Sequence, residues 1–371
     1  MGRNAYPATR MIRTGSSGNV TVRTMTTDIG ADDPLVAWLA RPYEFALERR
    51  IFGSADADAI RRVVTAFCAT TFGSPVAAVL SYVSSLGCVF TLRLADGQHL
   101  VLKASPPQDS VASLASMARI QAHLALCGFP CPRPLGGPWP LVYGHATAME
   151  RRDEGAFVTA DDPTVRRALA EALARQIALA HDFIDLPGLE PALWTSLPTD
   201  HLYPVSHLSI FDLEATAQGA GWIDRITRAA RGAAPPDGSH VVVGHDDWAV
   251  KDVRFADGSI RVVYDWDSLR RDRESVIVGR AAGLFMMTYR VPHPARIAPR
   301  PDEVRAFIDE YEAARGSAFT TAERATMAAV ATYMIAWTAR LEHSTAPDEG
   351  DYPVGTYRDA LARYGDAYLR P

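Results

Sequence analysis

Residues 76–104 constrain the fold more than any other stretch. Runs at 76–83, 88–94 and 99–104 are rich in Val, Leu, Tyr and Phe, and Ala95-Asp96-Gly97 separates the last two. Asp-Gly between alternating apolar runs is a strong local hairpin signal, because the turn needs a positive φ that Gly adopts without steric cost. The segment therefore predicts an antiparallel sheet built by local pairing and ending in Val101-Leu102-Lys103.

Around this sheet the period changes. Residues 55–72 read as an amphipathic helix, with Ile60, Val63, Val64 and Phe67 near helical spacing, stopped by Gly73-Ser74-Pro75. A helix is expected over 110–126, then a Pro-rich break at 129–140 and a short strand over 141–149. Beyond residue 155 the pattern is mainly helical, at 165–183, 304–315 and 321–341. One hairpin interrupts it: Val241-Val242-Val243-Gly244, then Asp257-Gly258, then residues 260–264. A sheet-rich part followed by a helical part with one hairpin is a two-lobed α+β arrangement. We expect an N-terminal extension at 1–50, partly irregular, an N-terminal lobe at 51–150 and a helical C-terminal lobe at 151–371.

Composition narrows the function. The 371 residues are 48% hydrophobic, enough for one large domain or two modest lobes. The formal charge of -5 comes with no block of like charges, which argues against nucleic-acid binding through a broad basic surface. Of Cys68, Cys88, Cys127 and Cys131, only the last two are close, and no second pair follows at metal-ligand spacing, so we read them as bystander thiols. No secretory leader is visible, Tyr6 stands where a myristoylation signal needs Ser or Thr, and no apolar run approaches the ~20 residues of a membrane span. The expectation is a soluble cytoplasmic protein, with neither nucleic acid nor membrane as a partner.

The chemistry concentrates in Gly244-His245-Asp246-Asp247-Trp248-Ala249-Val250-Lys251-Asp252-Val253-Arg254 and in Val263-Tyr264-Asp265-Trp266-Asp267. A hairpin returns its ends to one place, so Asp247, Asp252, Asp265 and Asp267 should converge. Four carboxylates so close repel one another unless a cation or proton offsets them. Hard oxygen ligands of this kind suit Mg²⁺, which completes its shell with water and substrate phosphates. Spacing alone leaves a second reading open, in which each carboxylate is simply solvated at the surface. The apolar flanks, with Trp248 and Trp266 beside the acids, favour partial enclosure.

The order of these features resembles the aminoglycoside phosphotransferase family, itself similar to protein kinases. Val101-Leu102-Lys103 resembles its phosphate-binding Lys strand, and Gly128-Phe129-Pro130-Cys131-Pro132-Arg133-Pro134 its G-x-P-x-P turn. Ala148-Met149-Glu150-Arg151 resembles the hinge that meets the adenine, His245-Asp246-Asp247 the catalytic loop, and Tyr264-Asp265-Trp266-Asp267 the metal segment. The resemblance runs from about residue 55 to residue 290. It implies a kinase-like fold and transfer of a phosphoryl group from ATP or GTP, with Mg²⁺, to a hydroxylated small molecule. Asp247 would receive or orient the acceptor proton and His245 would brace the loop. Asp265 would bind Mg²⁺ with Asp252 and Asp267 assisting, and Lys103 would sit on the α/β-phosphates. Ser84 and Ser85, in the loop before Gly87, would meet phosphate; Met149, Glu150 and Arg151 would meet the base. Lys251 and Arg254 would neutralise the γ-phosphate, or else be surface cations or ion-pair partners.

Three departures stand out. Asp252 replaces the family's metal-binding Asn. The helix over 110–126 has no carboxylate to hold Lys103, leaving Gln121 or Asp109 as stand-ins. The loop 83–87 has one Gly where nucleotide-covering loops have several. For the acceptor, Asp272, Glu274, Glu342, Asp348, Glu349 and Asp351 would contact a polycation or else form a solvated face. The aromatics of His201-Leu202-Tyr203, Phe211, Trp222 and Trp337 would line a pocket or belong to the core. A kinase acting on Ser or Thr of a peptide or protein, and a catalytically weak nucleotide-binding protein, are the alternatives carried forward. The oligomeric state is not encoded in any of these features.

Overall fold

The computed structural model describes residues 33–41, 45–206, 211–346 and 353–370. Backbone contacts divide the chain into two compact units. The first takes residues up to 109 together with 135–151, and the second takes 110–134 and 152–371.

In the first unit three helices, α1 (Pro34–Leu39), α2 (Ala46–Phe52) and α3 (Ala57–Phe72), cover one face of a sheet. Its strands are β1 (Val76–Ser84), β2 (Cys88–Leu94), β3 (His99–Ser105), β4 (Pro134–Leu141) and β5 (Gly144–Glu150), in the order β1-β2-β3-β5-β4. The three runs expected as strands between 76 and 104 are all present, and β2 turns into β3 at Asp96-Gly97, where Gly97 has φ +89°. Phe90, Leu92, Leu100, Leu102 and Ala104 pack with Leu35, Ile51, Ile60 and Val64. Successive strand residues point to opposite faces, so Val89, Val101 and Lys103 lie on the other side of the sheet.

Two expectations need correction here. The Pro-rich segment does not simply break the chain; from Pro134 it forms β4. This works because β4 is an edge strand, where a residue without an N–H costs no ladder bond. The stretch before residue 51 also contributes more than irregular chain, since Leu35 in α1 is fully buried in the unit's core. Residues 1–32 lie outside the described residues.

The second unit contains α4 (Val111–Leu126), α5 (Pro163–Leu179), α6 (Leu193–Ser196), α7 (Gly221–Ala233), α8 (Glu274–Leu284), α9 (Pro301–Arg315), α10 (Thr321–Thr345) and α11 (Tyr357–Tyr364). The helices expected over 165–183, 304–315 and 321–341 correspond to α5 with a following 3-10 turn, to α9 and to α10. Among them run four short strands: β6 (Val241–His245), β7 (Val253–Ala256), β8 (Ser259–Val263) and β9 (Leu269–Arg273). The expected hairpin exists, but its first strand is β7, not the valine run; β6 pairs antiparallel with β9 instead. Helix α10 is buried along most of its length and packs with α7, α8 and α11. No helix among the described residues is long and apolar enough to cross a membrane.

Candidate active site

The site is assembled by backbone hydrogen bonds before any side chain acts. Pairing of β6 with β9 brings His245 opposite Leu269, and the next rung runs from the Asp246 N–H to the Ser268 carbonyl at 2.9 Å. On the other side of β6 the buried amide of Gln176, on α5, donates to the Val243 carbonyl at 3.2 Å and accepts from the His245 N–H at 3.1 Å. Gly244 is needed because α8 presses close. A Cβ there would lie 2.4 Å from Ile277 Cγ2. The loop after Asp247 is held from below: the Val250 N–H donates to the Phe285 carbonyl at 2.9 Å and the Lys251 N–H to the Met287 carbonyl at 3.1 Å.

The second acidic segment is joined to the first directly. The Tyr264 N–H donates to the Asp252 carbonyl at 2.9 Å, and the Tyr264 carbonyl faces His245 Nε2 at 3.0 Å. Asp265 follows in the left-handed region, φ +63°, which Asp tolerates better than most residues. Its carboxylate accepts from the Ser268 hydroxyl at 3.0 Å. Both tryptophans are buried, Trp248 donating to the Leu169 carbonyl and Trp266 to the Val263 carbonyl, and each meets the His245 ring edge-on. The turn after α4 also docks here: Phe129 packs edge-on against Trp266, and the Pro130 carbonyl accepts from the Val263 N–H at 2.7 Å.

The result is a cluster in which Asp247, Asp252 and Asp265 each offer a carboxylate oxygen, all within 4.8 Å of one another. Lys251 sits inside it. Its ammonium donates to Asp247 Oδ2 at 2.7 Å and also contacts Asp252 Oδ2. Burial alone would raise the Asp247 carboxyl, but the adjacent Lys251 ammonium, helped by Arg280, holds it below the ordinary carboxylate range. For Asp252 burial wins over the same ammonium, and its carboxyl is raised. Burial opposes a charged Lys251, yet Asp247 and Asp252 hold it well above the usual lysine value. The side chain of Asp247 remains 33% exposed while that of Asp252 is 4% exposed, so Asp247 is the more accessible acid. Asp246 points elsewhere, to Arg280 at 3.2 Å.

Several expected site residues are placed differently. His245 is a buried brace whose Nε2 meets the Tyr264 carbonyl, so the structural half of its expected role is the one the geometry fits. Asp267 stands outside the trio; its carbonyl accepts from Arg270. Arg254 clasps the Asp153 and Gly155 carbonyls and lies over the Phe157 ring, away from the role of a mobile phosphate cation. Gln121 is committed to the Pro132 carbonyl at 2.7 Å.

In the first unit, Lys103 is buried on β3 between Val89 and Thr147. Gly87 lets the β1–β2 turn close over it: a Cβ there would lie 3.0 Å from the Ala104 carbonyl and 3.6 Å from Lys103 Cε. Ser85 belongs to that turn, its N–H donating to the Gly87 carbonyl. Ser84 must be withdrawn as a phosphate ligand. It lies in register with Cys88 on the helix-covered face, its hydroxyl donating to Glu48 at 2.6 Å and accepting from Trp38 at 3.2 Å. Met149 and Glu150 end β5 opposite Val101 and Leu100, and Arg151 donates to His99 at 3.1 Å.

Three of the acids expected at an acceptor are described, and all three have internal partners. Asp272 accepts from the Ala192 N–H and the Thr195 hydroxyl, Glu274 from Tyr311 while pairing with Arg315, and Glu342 from two backbone N–H groups of α11. Asp348, Glu349 and Asp351 lie outside the described residues. Tyr203 stacks on Trp337 with centroids 5.2 Å apart, and Phe211 is buried, as core residues are. Gln176 and Glu48 were not singled out from sequence. The only available signal for Gln176 was a polar residue within the apolar stripe of α5, and for Glu48 there was none.

Comparison with known proteins agrees with this construction. The family model described as the phosphotransferase enzyme family (APH) matches residues 89–317. The chain belongs to this family. It is accordingly a phosphotransferase acting on a hydroxyl group, with an α+β, protein-kinase-like fold. No curated protein sequence matches the chain. Among solved structures, spectinomycin phosphotransferase APH(9)-Ia, in complex with ADP and spectinomycin, is similar at 11% identity with a TM-score of 0.52, covering 83% of this chain and 95% of that one. The amicoumacin kinase hAmiN, in complex with AMP-PNP, Ca²⁺ and Ami, is similar at 12% identity and 0.51, covering 78% and 87%.

Proposed function

We propose that this phosphotransferase moves the γ-phosphoryl group of ATP or GTP onto a hydroxyl of a small molecule, an aminoglycoside-like antibiotic or a biosynthetic intermediate. The observation that carries the reading is the convergence of Asp247, Asp252 and Asp265 within 4.8 Å in a chain of this family. The ligands held by the two structural relatives, ADP with spectinomycin in one and AMP-PNP with Ca²⁺ and Ami in the other, support the substrate classes.

Asp247, the most open of the buried-loop acids, would orient the acceptor hydroxyl and receive its proton. As the acceptor oxygen bonds to Pγ, the bond from Pγ to the bridging oxygen breaks and the nucleoside diphosphate leaves with that electron pair. The donor set is all hard oxygen, which fits Mg²⁺, and an ion held by Asp265 with Asp252 near it would neutralise charge on the phosphates. Lys103 would sit on the α/β-phosphates, with the Ser85 turn above its stem and Met149, Glu150 and Arg151 at the strand end that meets the base. In this reading the first unit serves the nucleotide, in place of the expected lobe at 51–150, and the second serves catalysis and the acceptor, in place of 151–371.

The test is a thermal-shift titration with ATP and with GTP, each with and without Mg²⁺, on wild type and Asp265→Ala. A ligand that binds only the native state raises stability by about 2.7 kcal/mol at a hundred times its Kd. We expect a Mg²⁺-dependent rise in wild type that Asp265→Ala abolishes. No rise with either nucleotide would remove the proposal.

A further inference from the structure

We propose that Lys251 is a cation built into the acid cluster, and that the centre consequently takes one divalent ion, at Asp265, where related phosphoryl-transfer sites take two. The inference deepens the function proposed above and rests on it.

Phosphoryl transfer by kinases commonly uses two divalent ions held by carboxylate and amide oxygens, and paired ions in such sites stand about 3.5–4 Å apart. Here three carboxylates crowd within 4.8 Å. Two of them already share a positive charge. The Lys251 ammonium lies 2.7 Å from Asp247 Oδ2 and in contact with Asp252 Oδ2, in a side chain only 7% exposed.

A Mg²⁺ ion bonds carboxylate oxygen at about 2.0–2.1 Å. An ion taking Asp252 Oδ2 would therefore arrive within a few ångströms of the ammonium, two cations competing for one oxygen. Departure of the ammonium is costly. The Lys251 N–H is pinned to the Met287 carbonyl, the residue lies in the 3-10 turn Val250–Asp252, and the side chain is buried against both carboxylates. Three carboxylates against one ammonium leave a formal charge of -2 before the nucleotide's own charge is added, and the ammonium fills the place between Asp247 and Asp252 that a second ion would need. Lys251 and Asp252 are also adjacent in the chain, so the charge and its counter-charge are delivered together.

Lys251 thus acts as a positioning residue. It fixes the Asp247 carboxylate while taking Asp252 out of service for a second ion. The same geometry explains why it is poorly placed to act as a free cation on the γ-phosphate.

The experiment counts ions. Mn²⁺ is titrated into the full chain with a saturating, non-hydrolysable ATP analogue, and bound ion is obtained from loss of the free Mn²⁺ resonance after correction for analogue-bound ion without protein. We expect one enzyme-bound Mn²⁺ per chain for wild type, one for Lys251→Arg, and two for Lys251→Met. Two ions on wild type would overturn the assignment, and that result does not depend on any variant folding. One ion on well-folded Lys251→Met would overturn it as well, because the lysine would not be what excludes the second. No enzyme-bound Mn²⁺ and no analogue binding in wild type would instead remove the proposed function, and this inference with it.

Discussion

The peptide units of Asp252 and Tyr264 are hydrogen-bonded, the Tyr264 N–H donating to the Asp252 carbonyl at 2.9 Å. Eleven residues of hairpin and turn separate the two positions in sequence, yet this one bond places the acid at 252 beside the acid at 265. The carbonyl of the same Tyr264 receives His245 Nε2, so both acidic segments are tied to the end of β6. The carboxylates converge because the backbone is locked, and their mutual repulsion is borne by that lock and by Lys251.

His245 should therefore matter for stability. His245→Phe keeps an aromatic ring between Trp248 and Trp266 but leaves the buried Tyr264 carbonyl without its side-chain donor. A loss of about 1–3 kcal/mol is expected, read as a lower denaturation midpoint at unchanged slope. An unchanged midpoint would refute the bracing role.

Asp247 should matter for turnover. Asp247→Asn keeps the size of the side chain but removes the base and the negative charge beside Lys251. Once an acceptor is found, kcat should fall by about 10²–10⁴-fold, with ATP still producing a thermal shift. Wild-type turnover in this variant would rule out Asp247 as the group that receives the proton.

How much of this was legible depends on whether the signal is local. The β2–β3 turn was, because Asp96-Gly97 carries its own geometry. The approach of Asp247, Asp252 and Asp265 was as well, because a hairpin between two acidic segments returns them to one place. The partner of β6 was not. Residues 269–273 read Leu-Arg-Arg-Asp-Arg, which shows no strand pattern; they extend because β6 supplies a ladder and the Asp272 carboxylate is capped by Ala192 and Thr195. Strand β4 was hidden by its prolines, which only an edge position tolerates. Ser84 misled for a register reason: one residue along a strand reverses the face, and its neighbour across the ladder, Cys88, faces the helices.

Close packing behind the catalytic loop gives a test by coupling. Gly244→Ala places a Cβ 2.4 Å from Ile277 Cγ2, and overpacking of this kind costs about 1–3 kcal/mol. Ile277→Ala alone creates a cavity and costs about 2–5 kcal/mol. In the double variant the added methyl enters that cavity, so Gly244→Ala should be close to neutral in the Ile277→Ala background. Additive losses in a double-mutant cycle would show that Gly244 is not required by the approach of α8.

The last prediction concerns pH and a carboxylate far along the chain from the acid cluster. Burial raises Glu342 to about 7 from an ordinary value of 4.5, against the opposing effects of the Arg358 and Tyr357 N–H groups it accepts from at the start of α11. The sign follows from which state holds the proton. Between pH 4.5 and 7 the folded chain keeps Glu342 protonated while the unfolded chain has released it, so this group's contribution is fully present below about 4.5 and is lost as pH rises through 7. The change is on the order of 2–3 kcal/mol. Glu342→Gln, neutral at every pH and still able to accept one N–H bond, should lose this dependence. The difference in unfolding free energy between wild type and Glu342→Gln should therefore shift in the variant's favour from pH 4.5 to pH 7.5. A difference that stays constant across that range would mean that Glu342 ionises alike in the folded and unfolded chain.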